Sequence, residues 1–392
     1  MSVVRGRQFL AIPGPTNIPD RILRAMDRPT VDFKSTAFQP VMDEAFAGLK
    51  KVFQTESTIF AYASAGKGAW ESAMANTLSP GDKILIGETG AFSDYWREAA
   101  KGLQLETEML PGDWRHGVDP DAVEARLRED TGREIKAVCV VHNETATGVA
   151  SRLAEIRQAI DAAGHPALYM VDTISSLASI DFRMDAWGVD LTVAGSQKGL
   201  MLPSGLSFLG ASEKALQAAQ SARMPRSYWD WSNLYEADGS LRFPSTAPVH
   251  LIYGLAEALN MLLEEGLDQV FARHHRLAEA VRRCVKAWSE DGGPELFSLD
   301  AREHSNSVST ILLPEGHDAE ALRRTSEHRF GLALGAGLER LHGRAFRFAH
   351  MGDLNEPMVL GGLAALEMSL AVNDIPFARG GLQAAVDYLA AS

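Results

Sequence analysis

Between about residue 40 and residue 235, short apolar runs alternate with stretches of helical spacing. The runs cover residues 59–63, 84–87, 137–141, 167–171, 191–194 and 206–209. They are nearly unbroken in apolar residues. A strand with one wet face alternates in polarity, whereas a strand covered on both faces does not. Residues 120–127 and 152–163, lying between runs, read as helices. Pro120 suits a first helical turn, where a missing N–H costs nothing. Strands of this kind separated by helices predict an α/β fold around a mostly parallel sheet with helices on both faces.

The pattern changes towards the C-terminus. Leu267, Val270, Phe271, His274, Leu277, Val281, Cys284, Val285 and Trp288 recur at three- and four-residue steps, one face of a long helix. Gly266 marks a break from a preceding helix over 251–265. A turn at Asp291-Gly292-Gly293-Pro294, an alternating strand over 307–313 and a helix over 319–330 follow. These describe a smaller α+β domain. At the other end, the prolines of Ile12-Pro13-Gly14-Pro15-Thr16-Asn17-Ile18-Pro19 prevent regular helix. That segment reads as an extended arm before a helix over 20–26. The expected organisation is an arm over 1–19, a large domain over 20–265 and a small domain over 266–392.

Composition narrows the possible partners. A chain of 392 residues is too long for one small core, which supports two domains. A net charge of −13 argues against nucleic acid or an anionic membrane as a general partner. It leaves room for a small anionic ligand in a local positive pocket. Cys139 and Cys284 are expected to be buried small hydrophobes, with neither metal spacing nor a disulfide framework. The first residues lack an apolar signal core, and no apolar run is long enough to cross a bilayer. The expected compartment is the cytoplasm.

The candidate chemistry lies at the ends of two of the runs. Lys198 sits in Ala194-Gly195-Ser196-Gln197-Lys198-Gly199-Leu200, and Asp172 in Val171-Asp172-Thr173. A lysine after a strand is ordinarily a surface residue. Here small neighbours allow a ligand close to the amine. Burial or a neighbouring cation would free that amine to attack an aldehyde. Asp172 could be a helix cap or a metal ligand. A protonated pyridine nitrogen is a better partner for a carboxylate at the end of an apolar strand. The ligand that matches both is pyridoxal phosphate. Ser64-Ala65-Gly66-Lys67-Gly68 lies between a predicted strand and a predicted helix, where free N–H groups can hold a phosphate. Many such turns bind nothing. Arg347, in Ala345-Phe346-Arg347-Phe348-Ala349-His350, could be a solvated strand residue or a planar fork for a carboxylate. Arg344 is its neighbouring competitor.

Taken together, these stretches resemble the class V aminotransferases, and most closely the serine–glyoxylate and alanine–glyoxylate branch. The resemblance also includes His142-Asn143-Glu144-Thr145-Ala146-Thr147-Gly148-Val149, Ala333-Leu334-Gly335-Ala336-Gly337-Leu338 and His350-Met351-Gly352-Asp353-Leu354. It covers nearly the whole chain. It implies a fold-type I enzyme of the pyridoxal phosphate class, with a seven-stranded sheet in the large domain. It also implies a homodimer with sites at the subunit interface. By position it makes Lys198 and Asp172 catalytic and Arg347 the carboxylate-binding residue. Phe92 matches the aromatic stacked on the cofactor ring, Thr145 the hydroxyl near the ring oxygen, and Ile174 a further cofactor contact. Ala65, Gly66, Lys67 and Gln197 match phosphate contacts. Phe243 and Thr246 match a pair reaching the phosphate from the neighbouring subunit.

Several positions depart from the family pattern. Phe92 and Phe243 stand where tryptophan and tyrosine are frequent, and Phe243 lacks a hydroxyl. Lys67 replaces a neutral residue or histidine. Asp32-Phe33-Lys34 stands where Asp-His-Arg is typical, near the substrate mouth. The expected reaction is transamination between a small L-amino acid (serine, alanine or aspartate) and glyoxylate or a similar 2-oxo acid. Pyridoxamine–pyruvate transamination, a lyase or decarboxylase reaction, and a catalytically silent relative are the alternatives. A cysteine desulfurase is disfavoured, because neither cysteine sits in a mobile-loop setting.

Overall fold

The computed structural model describes residues 6–235 and 242–392. Its larger sheet has seven strands, in the order Thr58–Tyr62, Ser207–Ala211, Leu191–Gly195, Leu168–Asp172, Ile135–Val141, Lys83–Gly87, Glu106–Leu110. The five strands from Leu191–Gly195 to Glu106–Leu110 are parallel, while Ser207–Ala211 is antiparallel to both its neighbours. Each predicted run forms a strand to within two residues. The unbroken apolar pattern has the expected cause. Val138, Val140, Tyr169 and Val171 enter one hydrophobic core, and Ala137, Cys139, Val141, Leu168 and Met170 enter another on the opposite face. Both cysteines are buried free thiols.

This topology selects one edge of the sheet. The five parallel strands end together, with Val141 beside Asp172 and Asp172 beside Val193. Two successive antiparallel pairings turn Thr58–Tyr62 back into the same direction. Its C-terminal end therefore opens on that edge as well. Ligands of open α/β sheets bind beyond the carboxyl ends of the strands.

A second sheet has the order Phe9–Ala11, Leu332–Ala336, Ala345–Ala349, Val308–Leu312, Glu295–Leu296. Helices Leu267–Trp288, Ala319–Phe330, Glu356–Val372 and Gly381–Ala391 accompany it. Leu277, Val281, Trp288, Ile311, Leu334, Phe346, Phe348 and Leu366 share its core. The predicted helices over 20–26 and 319–330 form as Asp20–Met26 and Ala319–Phe330. Gly266, at φ 83°, ends one helix and opens the next. Strand Glu106–Leu110 of the larger sheet is not among the predicted runs, and a second strand is not apparent from local pattern. Phe9–Ala11, within the expected arm, pairs in parallel with Leu332–Ala336. Its backbone bonds are made to a segment distant in sequence, and three residues carry no legible period. Among the described residues, no helix is long and apolar enough to cross a membrane.

Candidate active site

Asp172 is the last residue of its strand and is buried. Its carboxylate accepts hydrogen bonds from the Ile174 amide at 2.6 Å and from Trp70 Nε1 at 2.8 Å. Burial pushes its pKa up to about 7, while those two donors and the nearby Lys198 charge pull against the shift. No cation is hydrogen-bonded to it among the described residues.

Lys198 lies just beyond strand Leu191–Gly195, and its Nζ donates to the Pro13 carbonyl. The side chain keeps some contact with solvent space, yet surrounding protein removes most of its hydration. That burial, followed by the charge of Arg347, lowers its pKa to about 8; Asp172 opposes the shift. The arm thus folds over the lysine. Thr16 reinforces the contact, its amide donating to Gln197 O at 3.2 Å and its hydroxyl to Lys198 O at 3.2 Å.

Arg347 is buried in strand Ala345–Ala349, whereas Arg344 is exposed. Its Nε donates to Ala336 O at 2.7 Å and Nη1 to Thr145 O at 3.1 Å. Nη2 has no hydrogen-bond partner among the described residues, which leaves half of a planar fork for a ligand. Burial lowers the Arg347 pKa to about 10, with the Glu144 charge opposing. Thr145 donates from Oγ1 to Ser175 Oγ at 2.6 Å. The partly buried ring of Phe92 meets Tyr95 edge-on, with centroids 5.6 Å apart.

Helix Gly66–Thr77 begins three residues earlier than the apolar pattern predicted. Its N-cap, Ala65, offers no side chain to the first N–H groups. A Cβ on Gly66 would lie 2.3 Å from Ile174 Cδ1. The missing side chain therefore lets the segment after Asp172 lie against the helix start. Lys67 is exposed, with Nζ 5.2 Å from the Tyr95 ring centroid. Gln197 Oε1 is buried and has no hydrogen-bond partner among the described residues.

Lys198, Asp172, Arg347, Thr145, Phe92, Ile174, Gln197, Ala65, Gly66 and Lys67 are thus linked through direct contacts, mutual charge effects or chain neighbours at one sheet edge. Phe243 and Thr246 are not linked to them by any hydrogen bond or ring contact among the described residues. Phe243 is buried in the core on the other face of the sheet, and Thr246 is exposed. Three residues of the site had no assigned role from sequence. Trp70 was one, although it lies four residues after Gly66 and hence on the same helical face. Ser175 and Glu144 were the others, and their contacts span segments far apart in the chain.

The sequence profile of the family described as "Aminotransferase class-V" matches residues 9–342. The chain belongs to that family. Among curated relatives, it is 46% identical over 391 residues to a serine–glyoxylate aminotransferase of Methylorubrum extorquens, covering 98% of this chain and 96% of the relative. It is 44% identical over 379 residues to an L-aspartate–glyoxylate aminotransferase of Paracoccus denitrificans, covering 96% and 95%. The crystal structure of a ureidoglycine–glyoxylate aminotransferase from Bacillus subtilis superposes with a TM-score of 0.89, at 27% identity and 99% coverage of both chains.

Proposed function

We propose that this chain is a pyridoxal 5′-phosphate-dependent transaminase acting between a small L-amino acid and glyoxylate or a similar 2-oxo acid. One observation carries the reading. Asp172, a buried carboxylate with no hydrogen-bonded cation among the described residues, lies close enough to Lys198, a lysine of lowered pKa, for each to feel the other's charge. Such a pair suits a ring with a protonated nitrogen at one end and an aldehyde at the other. The uncapped start of helix Gly66–Thr77, with its free backbone N–H groups, suits that ring's phosphate.

When bound, pyridoxal phosphate supplies the aldehyde and an electron-poor ring that accepts the electron pair left at the substrate Cα. The remaining tasks fall to the protein. Asp172 holds the proton on the pyridine nitrogen. Lys198, once its amine is free, takes the proton from the substrate Cα and delivers it to C4′ of the cofactor. Arg347 offers Nη2 to the α-carboxylate, which orients the Cα–H bond. Phe92 would cover the ring, with Ile174 nearby and the Thr145 hydroxyl towards the ring oxygen. Ala65, Gly66, Lys67 and Gln197 would hold the phosphate. Thr246, beside Phe243, would reach it from a second copy of the chain, making the working unit a homodimer. The large domain over 20–265 would carry the cofactor, and the small domain over 266–392 the carboxylate fork. The two buried free thiols suit a cytoplasmic enzyme.

The names of the relatives support glyoxylate as acceptor and serine or aspartate as candidate donors. The test is a half-reaction screen. Purified enzyme is mixed with single amino acids while the absorbance of the bound cofactor is followed. Conversion by serine, alanine or aspartate, reversed by glyoxylate, is the expected result, with Lys198→Ala inert. Protein that cannot take up the cofactor, or Lys198→Ala turning over at wild-type rate, would end the reading.

A further inference from the structure

Glu144 is fully buried, and among the described residues no arginine, lysine or histidine forms an ion pair with it, although its charge is felt by Arg347. Burying a carboxylate without a cation is costly unless hydrogen bonds replace its water. Three backbone amides do so. Oε2 accepts from Phe92 N at 3.0 Å and Ser93 N at 3.2 Å, and Oε1 from Ala146 N at 3.0 Å. Phe92 and Ser93 lie in the first turn of helix Ala91–Gly102, whose N-cap, Gly90, brings no side chain of its own. The helix is therefore capped from a different segment. A Cβ on Gly90 would lie 2.4 Å from Glu144 Cγ, so the helix start rests directly on the glutamate stem.

The same glutamate precedes Thr145, which accepts from Arg347 Nη1 at 3.1 Å and donates to Ser175. The Glu144 backbone carbonyl in turn accepts from Thr147 N at 3.2 Å and Gly148 N at 2.9 Å. One rigid turn thus reaches the Phe92 backbone on one side and the Arg347 fork on the other. A serine or aspartate at position 90 would cap the helix at far lower cost. It would not tie the helix to Thr145.

Resting on the function proposed above, we infer that Glu144 is a positioning residue that fixes Phe92 relative to Thr145 and Arg347. Ring cover and carboxylate binding are then held in one register. Burial also raises the Glu144 pKa to about 7, with its three amide donors opposing the shift.

The test is a double-mutant cycle between Glu144→Gln and Phe92→Ala. Glutamine carries one acceptor oxygen and turns its NH2 towards an amide that needs an acceptor. The readouts are hydrogen exchange at the Phe92 and Ser93 amides in the apoprotein, cofactor dissociation constant by fluorescence quenching, and donor KM and kcat. Glu144→Gln should speed exchange at both amides and weaken cofactor binding about tenfold, the scale of one charge-assisted hydrogen bond. In the Phe92→Ala background the same substitution should change affinity less than about twofold, since it acts through the missing ring. Glu144→Asp keeps both acceptor oxygens, serves if the glutamine variant fails to fold, and should recover part of the loss. Additive effects in the cycle, or unchanged exchange and affinity with only a lowered Tm, would overturn the inference. Wild-type protein unable to bind the cofactor would instead sink the functional reading.

Discussion

Loss of water moves the pKa values of Asp172 and Lys198 towards neutrality from opposite sides. For Lys198 the sign is simple. Burial favours the neutral amine, so the attacking form becomes abundant above a pH of about 8. Uptake of pyridoxal phosphate by the apoprotein should accelerate about tenfold per pH unit below that value and level off above it. Stopped-flow absorbance would show this; a flat profile would count against Lys198. For Asp172, burial favours the neutral acid, and hydrogen bonds from Trp70 and Ile174 favour the anion. Trp70→Phe keeps the ring stacked on Trp96, whose centroid lies 5.6 Å away, but removes the donor. The anion then becomes harder to form. The acid limb of kcat should move to higher pH, and kcat at neutral pH should fall about tenfold, the scale of a hydrogen bond to a charged group. Steady-state pH profiles of both proteins check this. Lys198 and Asp172 were legible in the sequence because each follows an apolar run. Trp70 was not, because its partner lies in another strand.

At the scale of elements, the start of helix Gly66–Thr77 depends on close approach to the segment after Asp172. Gly66→Ala would set a Cβ 2.3 Å from Ile174 Cδ1, which must then rotate away. Alanine favours the helix over glycine by up to about 1 kcal/mol, so the fold should survive. Ile174 would move towards the space proposed for the ring. The expected outcome is a Tm within a few degrees of wild type, by about the helix gain, with weaker cofactor binding. Calorimetry and fluorescence titration separate the two effects. Unchanged affinity would remove Gly66 and Ile174 from the cofactor site. The glycine turn itself was legible from sequence, since small residues before an apolar helical stretch mark a tight approach. The residue it approaches was not, because Ile174 is ordinary in composition and local pattern.

At the scale of the molecule, the two sheets meet beside the site. Tyr95, near Phe92, donates to Glu339 at 2.8 Å, and Arg340 binds Glu88 at 2.7 Å while lying 4.3 Å from the Trp114 ring centroid. These contacts join the side of the molecule that holds Lys198 to the side that holds Arg347. The pair Phe243 and Thr246 remains outside this constellation in a single chain, which makes a shared site testable. Lys198→Ala and Thr246→Arg should each abolish activity as homodimers. Coexpressed, they form mixed dimers with one intact site, restoring about a quarter of wild-type activity if chains pair at random. No restoration would place the whole site within one chain.

Local pattern by itself determined six of the seven strands of the large sheet, the long helix after Gly266 and the two residues proposed to react. These are short-range properties: a period of hydrophobicity, a glycine beside a lysine, an acid at the end of an apolar run. Only the tertiary structure decided that Phe9–Ala11 completes the second sheet, that Trp70 serves Asp172, and that Glu144 caps a helix not its own. Each of those contacts joins segments far apart in the chain. Each supplies hydrogen bonds to polar groups that folding strips of water, which no local period records.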